Sequence, residues 1–417
     1  MKVLIKQAKI FCKNSPFHLQ QADLFINNGK IERISPELQG LEGAREILIN
    51  GLCVSAGWLD PFADFADPGF ENRETVESGS AAAAAGGFTG VMLMPSSSSP
   101  ASKRSDIEYL QNRQTGVSIF PIGCVTSNAE GKSLAEMYDM HAAGAPAFSD
   151  GTKPIQHAGV MLKALQYVLP LSAAIIQIPG DQTINPRGLV NEGLPSTRLG
   201  LPGIPALAEE MMIARDIELL RFTNSKLHFT AVSTRKGMDI IRKAKAEGLN
   251  VTCSVTPYHL HFTDSDLHGY DTNLKVYPPL RTDDDRFALI EAINEGVVDC
   301  LASHHLPWHA DEKECEFEFA RFGMAGIQSV FGAAALHIVD KEKLVHLLIN
   351  ARNIFNLPMP KIREGEIAEL TLFNPHETYT FVRNENRSRS ANNAFLGTDL
   401  GGTVHGTIHQ NKILLNK

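Results

Sequence analysis

The 417-residue sequence lacks several features that would assign it to a broad class of proteins. No apolar run reaches the roughly 18 residues that span a membrane, and the N-terminus lacks the apolar region and cleavage site of a signal peptide. The net charge is −8 without a basic cluster, which argues against a nucleic-acid partner. The six cysteines are scattered singly, without a Cys-x-x-Cys pair, so zinc-ribbon spacing is absent. We therefore expect a cytoplasmic protein with neither membrane nor nucleic acid as a partner.

Both ends of the chain have the pattern of short β-strands. The N-terminal part contains the runs VLIKQAKIF, ADLFINN and KIERIS, separated by turn signals such as Asn27-Asn28-Gly29. The C-terminal part contains AELTLFNP, TYTFV and TVHGTIHQNKILLN. We predict that residues 1–55 and 365–417 together form one small β-sandwich-like domain.

The middle of the chain, residues 56–364, alternates apolar strand-like runs with amphipathic helical patterns. The runs are FTGVMLMP, SIFPIGCV, AAIIQIP, KLHFTAVS, NVTCSVTP and VDCLASHH. Apolar strands that alternate with helices indicate a parallel sheet buried on both faces. With further strands ending at Asp60 and near Asp150, about eight units predict a (β/α)8 barrel, whose chemistry belongs at the strand ends.

The longer motifs of the chain resemble those of a known family. They include PGFENRETVESGSAAAAAGGFTGVMLMP, LGLPGIPALAEEMMIARDI, YDTNLKVYPPLRTDDDRFALIEAI, ARFGMAGIQSV and GEIAELTLFNP. These motifs are similar, over nearly the whole length, to the dihydroorotases of the amidohydrolase superfamily, in the type associated with aspartate carbamoyltransferase. The resemblance implies an amidohydrolase barrel, a place in pyrimidine biosynthesis and, in active members, one or two zinc ions.

Most positions that the resemblance assigns to metal ligands carry other residues here. The family's His-x-His after the first strand corresponds to Phe62 and Asp64. The histidine that ends strand five corresponds to Gln177, and the strand-six histidine corresponds to Ala231. Asp150 matches the family's loop aspartate and is the ligand that survives. Because zinc needs three or four converging ligands, we expect no metal cofactor.

The positions implied for catalysis and substrate binding are also altered. The family's Asp-His-x-Pro-His reads His304-His305-Leu306-Pro307-Trp308 here, so His304 replaces the catalytic aspartate. The altered substrate-binding positions are Ala66 for an arginine, Ser96 for an asparagine, and Tyr277 for the asparagine of Asn-Pro-Pro-Leu-Arg. Asn273 and Arg281 are kept and could hold an anion, although Arg281 could equally be a structural clamp.

Three functions are compatible with this pattern. The first is a non-catalytic dihydroorotase homologue that keeps the fold as an assembly partner of aspartate carbamoyltransferase, of a second copy of itself, or of both. The second is an active cyclic amidohydrolase with a relocated or reduced zinc site, suggested by the histidines His259, His261, His304, His305 and His309. The third is a barrel that binds a small molecule without transforming it.

Overall fold

The computed structural model describes residues 1–95 and 100–416. Its strands, in chain order, are β1 Lys2–Phe11, β2 Gln21–Asn27, β3 Lys30–Ser35, β4 Arg45–Ile47, β5 Cys53–Ala56, β6 Trp58–Ala63, β7 Phe88–Leu93, β8 Ser118–Pro121, β9 Ala147–Phe148, β10 Ala174–Gln177, β11 Val190–Asn191, β12 Gly203–Ile204, β13 Leu227–Phe229, β14 Val251–Val255, β15 Cys300–Leu301, β16 Leu370–Thr380, β17 Asp399–His409 and β18 Lys412–Leu415.

The α-helices lie mainly between the central strands. They are α1 Val76–Ala85, α2 Arg104–Gln111, α3 Met137–Ala142, α4 Ala158–Val168, α5 Leu194–Leu199, α6 Ala206–Thr223, α7 Arg235–Ala246, α8 Pro257–His261, α9 Asp283–Glu295, α10 Val330–Ala335, α11 Lys341–Ile349 and α12 Ala351–Ile354. Short 3₁₀ helices occupy connecting segments, among them Asp264–Gly269 and Ala310–Glu312. Across the described ranges, no helix is long and apolar enough to cross a membrane.

Strands from the two ends of the chain form one mixed sheet. Its order is β18-β17-β16-β5-β1-β2-β3, and β4 pairs with β1. The β16–β5 ladder is antiparallel and pairs Leu370 with Ala56, so the C-terminal segment returns beside the strand that leads into the barrel. Alternate residues of these strands are buried in a separate apolar cluster that includes Val3, Ile5 and Leu372. This sheet is the predicted β domain of the fold.

Eight parallel strands in the described part of the chain close into a barrel. Strands β6, β7 and β8 pair in order, as do β9, β10, β13, β14 and β15. Single bridges complete the ring: Gly123 pairs with Phe148, and Ala63 pairs with His305. The interior is filled by apolar side chains such as Leu59, Met92 and Ile176. The predicted class, a (β/α)8 barrel with a small β domain, is confirmed.

Local sequence explains why the first barrel helix begins and packs where it does. The Thr75 hydroxyl accepts from the Ser78 N–H at 3.1 Å, and the Ser78 hydroxyl accepts from the Thr75 N–H at 3.0 Å. This reciprocal cap satisfies two backbone donors at the start of α1. A Cβ added at Gly79 would overlap the Phe65 ring. The small residues of α1 therefore let the helix lie directly against the residues that follow β6.

One buried arginine joins the barrel to the β domain. Arg352 is 1 % exposed, and its Nη2 is paired with the Glu369 carboxylate beside β16. The same guanidinium donates to the Gly57 carbonyl at 3.2 Å, the Thr89 hydroxyl at 3.0 Å and the Pro358 carbonyl at 2.9 Å. These donors connect the starts of two barrel strands with the returning C-terminal segment.

We expect Arg352→Met to lower the free energy of unfolding by about 3 kcal/mol, because it leaves the Glu369 carboxylate without its cation. Adding Glu369→Gln should recover part of that loss. Urea unfolding followed by circular dichroism measures both effects, with the exposed Arg363→Met as the matched control. Equal stability of Arg352→Met and the control would contradict a joining role for this pair.

Candidate functional site

The strand ends open into a cleft of about 490 Å³ at the barrel mouth. Its walls come from the residues after β6, the loop that follows β10, and the segments around Tyr277 and residues 306–322. Three aromatic side chains line it, Tyr277, Trp308 and Phe322, together with the charged groups Asp64, Arg73, Asp181 and Arg321. The cleft is therefore large enough for a small organic ligand.

A buried ion pair occupies the part of the mouth beside the first strand. Asp64 is 2 % exposed, and its Oδ2 accepts from Arg73 Nη2 at 2.9 Å. Its Oδ1 accepts from the Ala66 N–H at 2.6 Å. The Arg73 guanidinium also donates to the Pro307 carbonyl at 2.9 Å and lies 3.8 Å from the Trp308 ring centroid. Both Asp64 oxygens are thus engaged by groups of the protein itself.

Phe62 and His304 form a second packed unit inside the barrel. Their ring centroids lie 4.8 Å apart, and both side chains are buried. His304 Nε2 lies 2.7 Å from the Thr230 hydroxyl, while its Nδ1 is buried without a hydrogen-bond partner in the described part of the structure. Burial lowers the pKa of His304 to about 3, aided by His259 and His228. His304 is therefore a neutral side chain at physiological pH.

The Thr230 hydroxyl belongs to a series of hydrogen-bonded polar groups that crosses the barrel interior. It accepts from the Ser254 hydroxyl at 2.9 Å, and Ser254 Oγ lies 3.1 Å from His228 Nε2. His228 Nδ1 in turn lies 2.8 Å from the Thr252 hydroxyl. Burial lowers the pKa of His228 to about 3. The chain satisfies buried polar groups of β13 and β14, as a low-dielectric interior requires.

Asp150 lies after β9, and its carboxylate accepts hydrogen bonds from the neighbouring loop. Its Oδ1 accepts from the N–H groups of Val125 and Thr126, each at 2.9 Å, and its Oδ2 accepts from the Thr126 hydroxyl. Burial raises the pKa of Asp150 despite these bonds. The carboxylate fixes the segment after β8, which is a sufficient structural reason for an aspartate here.

The structure corrects the position assigned to Gln177. Its side chain points away from the mouth: Oε1 accepts from the Ile155 N–H at 3.2 Å, and Nε2 donates to Asp216 on α6 at 3.2 Å. Ile178 lines the cleft instead. Successive strand residues face opposite sides, so Ile178 and not Gln177 is the residue of this strand end that faces the cleft.

The predicted substrate-binding positions are dispersed. Arg281 is 3 % exposed and donates to Asn191 Oδ1 at 2.8 Å, to the Ile204 carbonyl at 2.9 Å and to Ser233 Oγ at 3.1 Å. Of the two roles considered for Arg281, anion binding and a structural clamp, the clamp accounts for all these contacts. Tyr277 lines the cleft.

Four predicted positions remain. Asn273 lines a separate cavity and not the barrel mouth. Ala66 and Ala231 are buried, and their side chains are methyl groups without a donor or acceptor. Ser96 lies outside the described residues.

The side chains present do not fit a zinc centre at the mouth. Phe62, Ala231 and Ile178 have no donor atom, and the oxygens of Asp64 and Asp150 are already bonded. In residues 1–95 and 100–416, no three His, Cys, Asp or Glu side chains are grouped in a way that could hold a metal ion.

The histidines that suggested a relocated centre do not converge. His259 lies 2.9 Å from the Thr256 hydroxyl and 3.0 Å from the Pro278 carbonyl. His261 is hydrogen-bonded to His337. His305 faces Glu74 at 3.4 Å, on the opposite side of the strand end from His304. His309 is half exposed beside Asp311.

The sequence did not reveal the residues that fill the barrel mouth, where the family motif has its metal ligands. Arg73, Glu74 and Trp308 were not singled out, although they fill the mouth. The available signal was a charged pair, Arg73-Glu74, directly before the Thr75 helix cap, where the chain passes over the barrel end. Two partners of Glu74, Ser388 and the Arg389 N–H, are more than 300 residues away. Contacts of that separation leave no local pattern.

Comparison with solved structures places the architecture in a known class. The fold matches the L-hydantoinase (dihydropyrimidinase) from Arthrobacter aurescens with a TM-score of 0.86 and 22 % identity, covering 100 % of this chain and 96 % of that one. It matches dihydropyrimidinase from Brevibacillus agri with a TM-score of 0.83 and 18 % identity, covering 100 % and 95 %. The protein thus has the amidohydrolase type of barrel with its β domain.

Sequence comparison defines the family within that class. Residues 53–237 match the family model described as dihydro-orotase-like. The dihydroorotase of Carboxydothermus hydrogenoformans is 38 % identical over 419 residues, with 98 % of this chain and 97 % of that protein covered. The dihydroorotase of Syntrophus aciditrophicus is 36 % identical over 424 residues, with 99 % of each covered. The chain belongs to the dihydroorotase family, as the sequence motifs predicted.

We expect His304→Gln to reduce the loss of stability on acidification. The folded-state pKa of His304 is about 3, whereas an unfolded histidine titrates near 6.5. The unfolded state therefore binds the extra proton as the pH falls below about 6.5, and the stability contribution of the neutral ring is lost. Between pH 7 and pH 5 this amounts to about 2 kcal/mol. Urea unfolding at the two pH values measures it.

The matched control for this prediction is His309→Gln, at a half-exposed position five residues away. It should keep the wild-type difference between the two pH values. A His304→Gln protein that loses as much stability as the wild type would show that His304 is not held neutral in the folded state.

Proposed function

We propose that this member of the dihydroorotase family is non-catalytic and serves as an assembly partner of aspartate carbamoyltransferase in pyrimidine biosynthesis. The observation that carries the first part is the Asp64–Arg73 pair packed on Trp308. It occupies the strand end where the family motif has its first histidines. Hydrolysis of a cyclic amide at neutral pH needs an activated water, which zinc supplies by lowering its pKa. Phe62, Ala231 and Ile178 offer no donor atom for zinc, and the oxygens of Asp64 and Asp150 are bonded to the protein.

The integrity of the rest of the molecule supports a retained role for the fold. Two buried carboxylates near the mouth are bonded within the protein: Glu74 is bonded to Ser78, Ser388 and the Arg389 N–H, and Asp60 accepts from Ser303 Oγ and N–H at 2.6 and 2.7 Å. A decaying sequence would leave such buried carboxylates unpaired at high cost. The pairing of these buried groups is accounted for if selection has maintained the fold, and with it the surface that the fold presents.

An exposed apolar stripe on α6 supports a protein partner. Leu207, Met211 and Phe222 are 48, 49 and 74 % exposed, and Ala214 lies between them on the same face. Their spacing of four, three and eight residues keeps them on one side of the helix. The exposed Glu218, four residues before Phe222, separates Phe222 from the other three and pairs with Arg221. Apolar side chains that line up on a surface helix mark interaction sites more often than isolated ones do. We infer that α6 belongs to the surface that binds the transferase.

A second candidate function is small-molecule binding without chemistry. It is favoured by the 490 Å³ cleft and its aromatic walls, Tyr277, Trp308 and Phe322. A zinc-dependent activity at a relocated site has no converging ligand set in the described residues to favour it. Assembly remains the first proposal because the exposed helix face has no role in ligand binding.

We expect the purified protein, with or without added zinc, to interconvert dihydroorotate and carbamoyl aspartate no faster than buffer. The reason is the joint loss of metal ligands, base and carboxylate-binding arginine. A catalytic dihydroorotase assayed in parallel is the positive control. Turnover on the order of 1 per second that persists through repurification and disappears in Asp150→Asn would refute the non-catalytic proposal.

We expect the protein to form a stable complex with aspartate carbamoyltransferase from the same source, burying more than about 1,000 Å². Light scattering of the mixture at micromolar concentrations should show a species heavier than either component. Met211→Glu with Phe222→Glu should weaken the complex at least tenfold, because hot-spot residues dominate such interfaces. Tyr138→Glu, at an exposed aromatic on α3, is the matched control. A transferase that keeps its own mass and full activity alone would refute the assembly role.

A further inference from the structure

A second cavity, of about 470 Å³, lies beside the mouth and is separate from the candidate site. It is enclosed by three segments: Asp271–Asn273, Trp308–Glu314 and the stretch between Arg383 and Leu396 that joins β16 to β17. None of the inherited metal positions lines it. Trp308 is shared, because it also lines the cleft.

Two arginines of this cavity have guanidinium groups without a partner in the described part of the protein. Arg383 and Arg389 line the cavity and are exposed, and in the described residues neither guanidinium has a hydrogen bond or an ion pair. Most other arginines of the described residues are engaged, for example Arg281 and Arg352 with four partners each. Two unpaired guanidinium groups on one cavity wall present ten N–H donors in two planar forks.

The frame around these arginines is rigid. Asn392 accepts from the Trp308 N–H at 3.1 Å and donates to the carbonyls of Leu306 and Gly323 at 3.0 and 3.1 Å. Asn393 donates to the Ala325 carbonyl at 3.0 Å and to Ser329 Oγ at 3.2 Å. The segment that carries Arg389 is therefore fixed to the barrel, so a ligand meets a preformed wall.

The charge of the cavity wall favours an anion. Lys313 is a third basic residue of the wall, but its Nζ already donates to the carbonyls of Arg321 and Gly323 at 2.8 and 3.1 Å. Burial lowers its pKa to about 7, and a bound anion nearby would favour its protonated form. Asp271 and Glu314 are the carboxylates of the wall, and Asp271 is already bonded to the Asn273 N–H at 2.9 Å. The amides of Asn72 and Asn273 line the same space and supply neutral donors.

We propose that this cavity binds a small oxyanion with two or more negative charges, held by Arg383 and Arg389. Guanidinium groups bind phosphate and carboxylate oxygens in pairs, with geometry that a lysine cannot reproduce. The ligand is therefore a phosphate-bearing or polycarboxylate metabolite. The site is independent of whether the barrel mouth is catalytic.

Trp308 makes binding directly observable. The protein has two tryptophans. Trp58 is 0 % exposed, in the barrel wall, whereas Trp308 lines the proposed site. Titration of the full-length protein with pyrophosphate, and separately with citrate, should change the Trp308 fluorescence and saturate with a Kd below about 1 mM. Ionic strength is held constant with sodium chloride, since screening weakens exposed charges. Trp308→Phe should abolish the signal, and calorimetry of the same variant should still detect binding.

The arginines are tested by Arg383→Gln with Arg389→Gln, which should raise the Kd at least tenfold while circular dichroism stays unchanged. Arg387→Gln is the matched control: it lies in the same segment, is equally exposed and lines a different cavity. Tighter binding of pyrophosphate identifies a phosphate ligand, and tighter binding of citrate identifies a polycarboxylate. Absence of saturation with both anions by fluorescence and calorimetry, or equal weakening by Arg387→Gln, overturns the site.

Discussion

The buried carboxylate of Asp64 is paired with Arg73, and the mouth of the barrel is arranged around this ion pair. A buried charge is costly unless it is paired and hydrogen-bonded. Arg73 supplies the charge and the Ala66 N–H supplies a second donor. Arg73 is itself held by the Pro307 carbonyl and the Trp308 ring. One ion pair thus links the end of β6, the segment before α1 and the loop after β15.

The neighbouring Glu74 carboxylate is likewise bonded to other parts of the chain. Glu74 lies next to Arg73 in the chain and bonds to Ser388 and the Arg389 N–H, which brings the C-terminal segment over the barrel. Burial opposes ionisation of Glu74, but hydrogen bonding and charge from His305, with the serine hydroxyls, hold its pKa below its usual range. The mouth is therefore stabilised by contacts between distant parts of the chain.

Sequence reasoning was sufficient for the architecture and only partly sufficient for the site. Apolar runs such as VMLMP and VDCLASHH, which recur between amphipathic helices, predicted the barrel because burial on both faces leaves a strong local signal. Phe62, Asp64 and His304 were assigned to site positions by the family resemblance, and all three are buried at the mouth. The direction of Gln177 was not readable from the sequence, since a shift of one residue in a strand exchanges its two faces. Arg73 and Trp308 escaped notice because their meaning depends on partners that only the fold brings close.

The mutual dependence of these contacts makes single replacements at the mouth costly. A histidine at position 64 would leave the Arg73 guanidinium buried and unpaired, a cost of several kcal/mol. An aspartate at position 304 would set a carboxylate beside the Phe62 ring, in an interior that already shifts the pKa of Asp60 to about 7 by burial. Each single replacement is therefore destabilising until several others accompany it. The packed mouth is a self-consistent part of the folded core, and conversion to a metal site would require concerted substitution at positions on at least four strands.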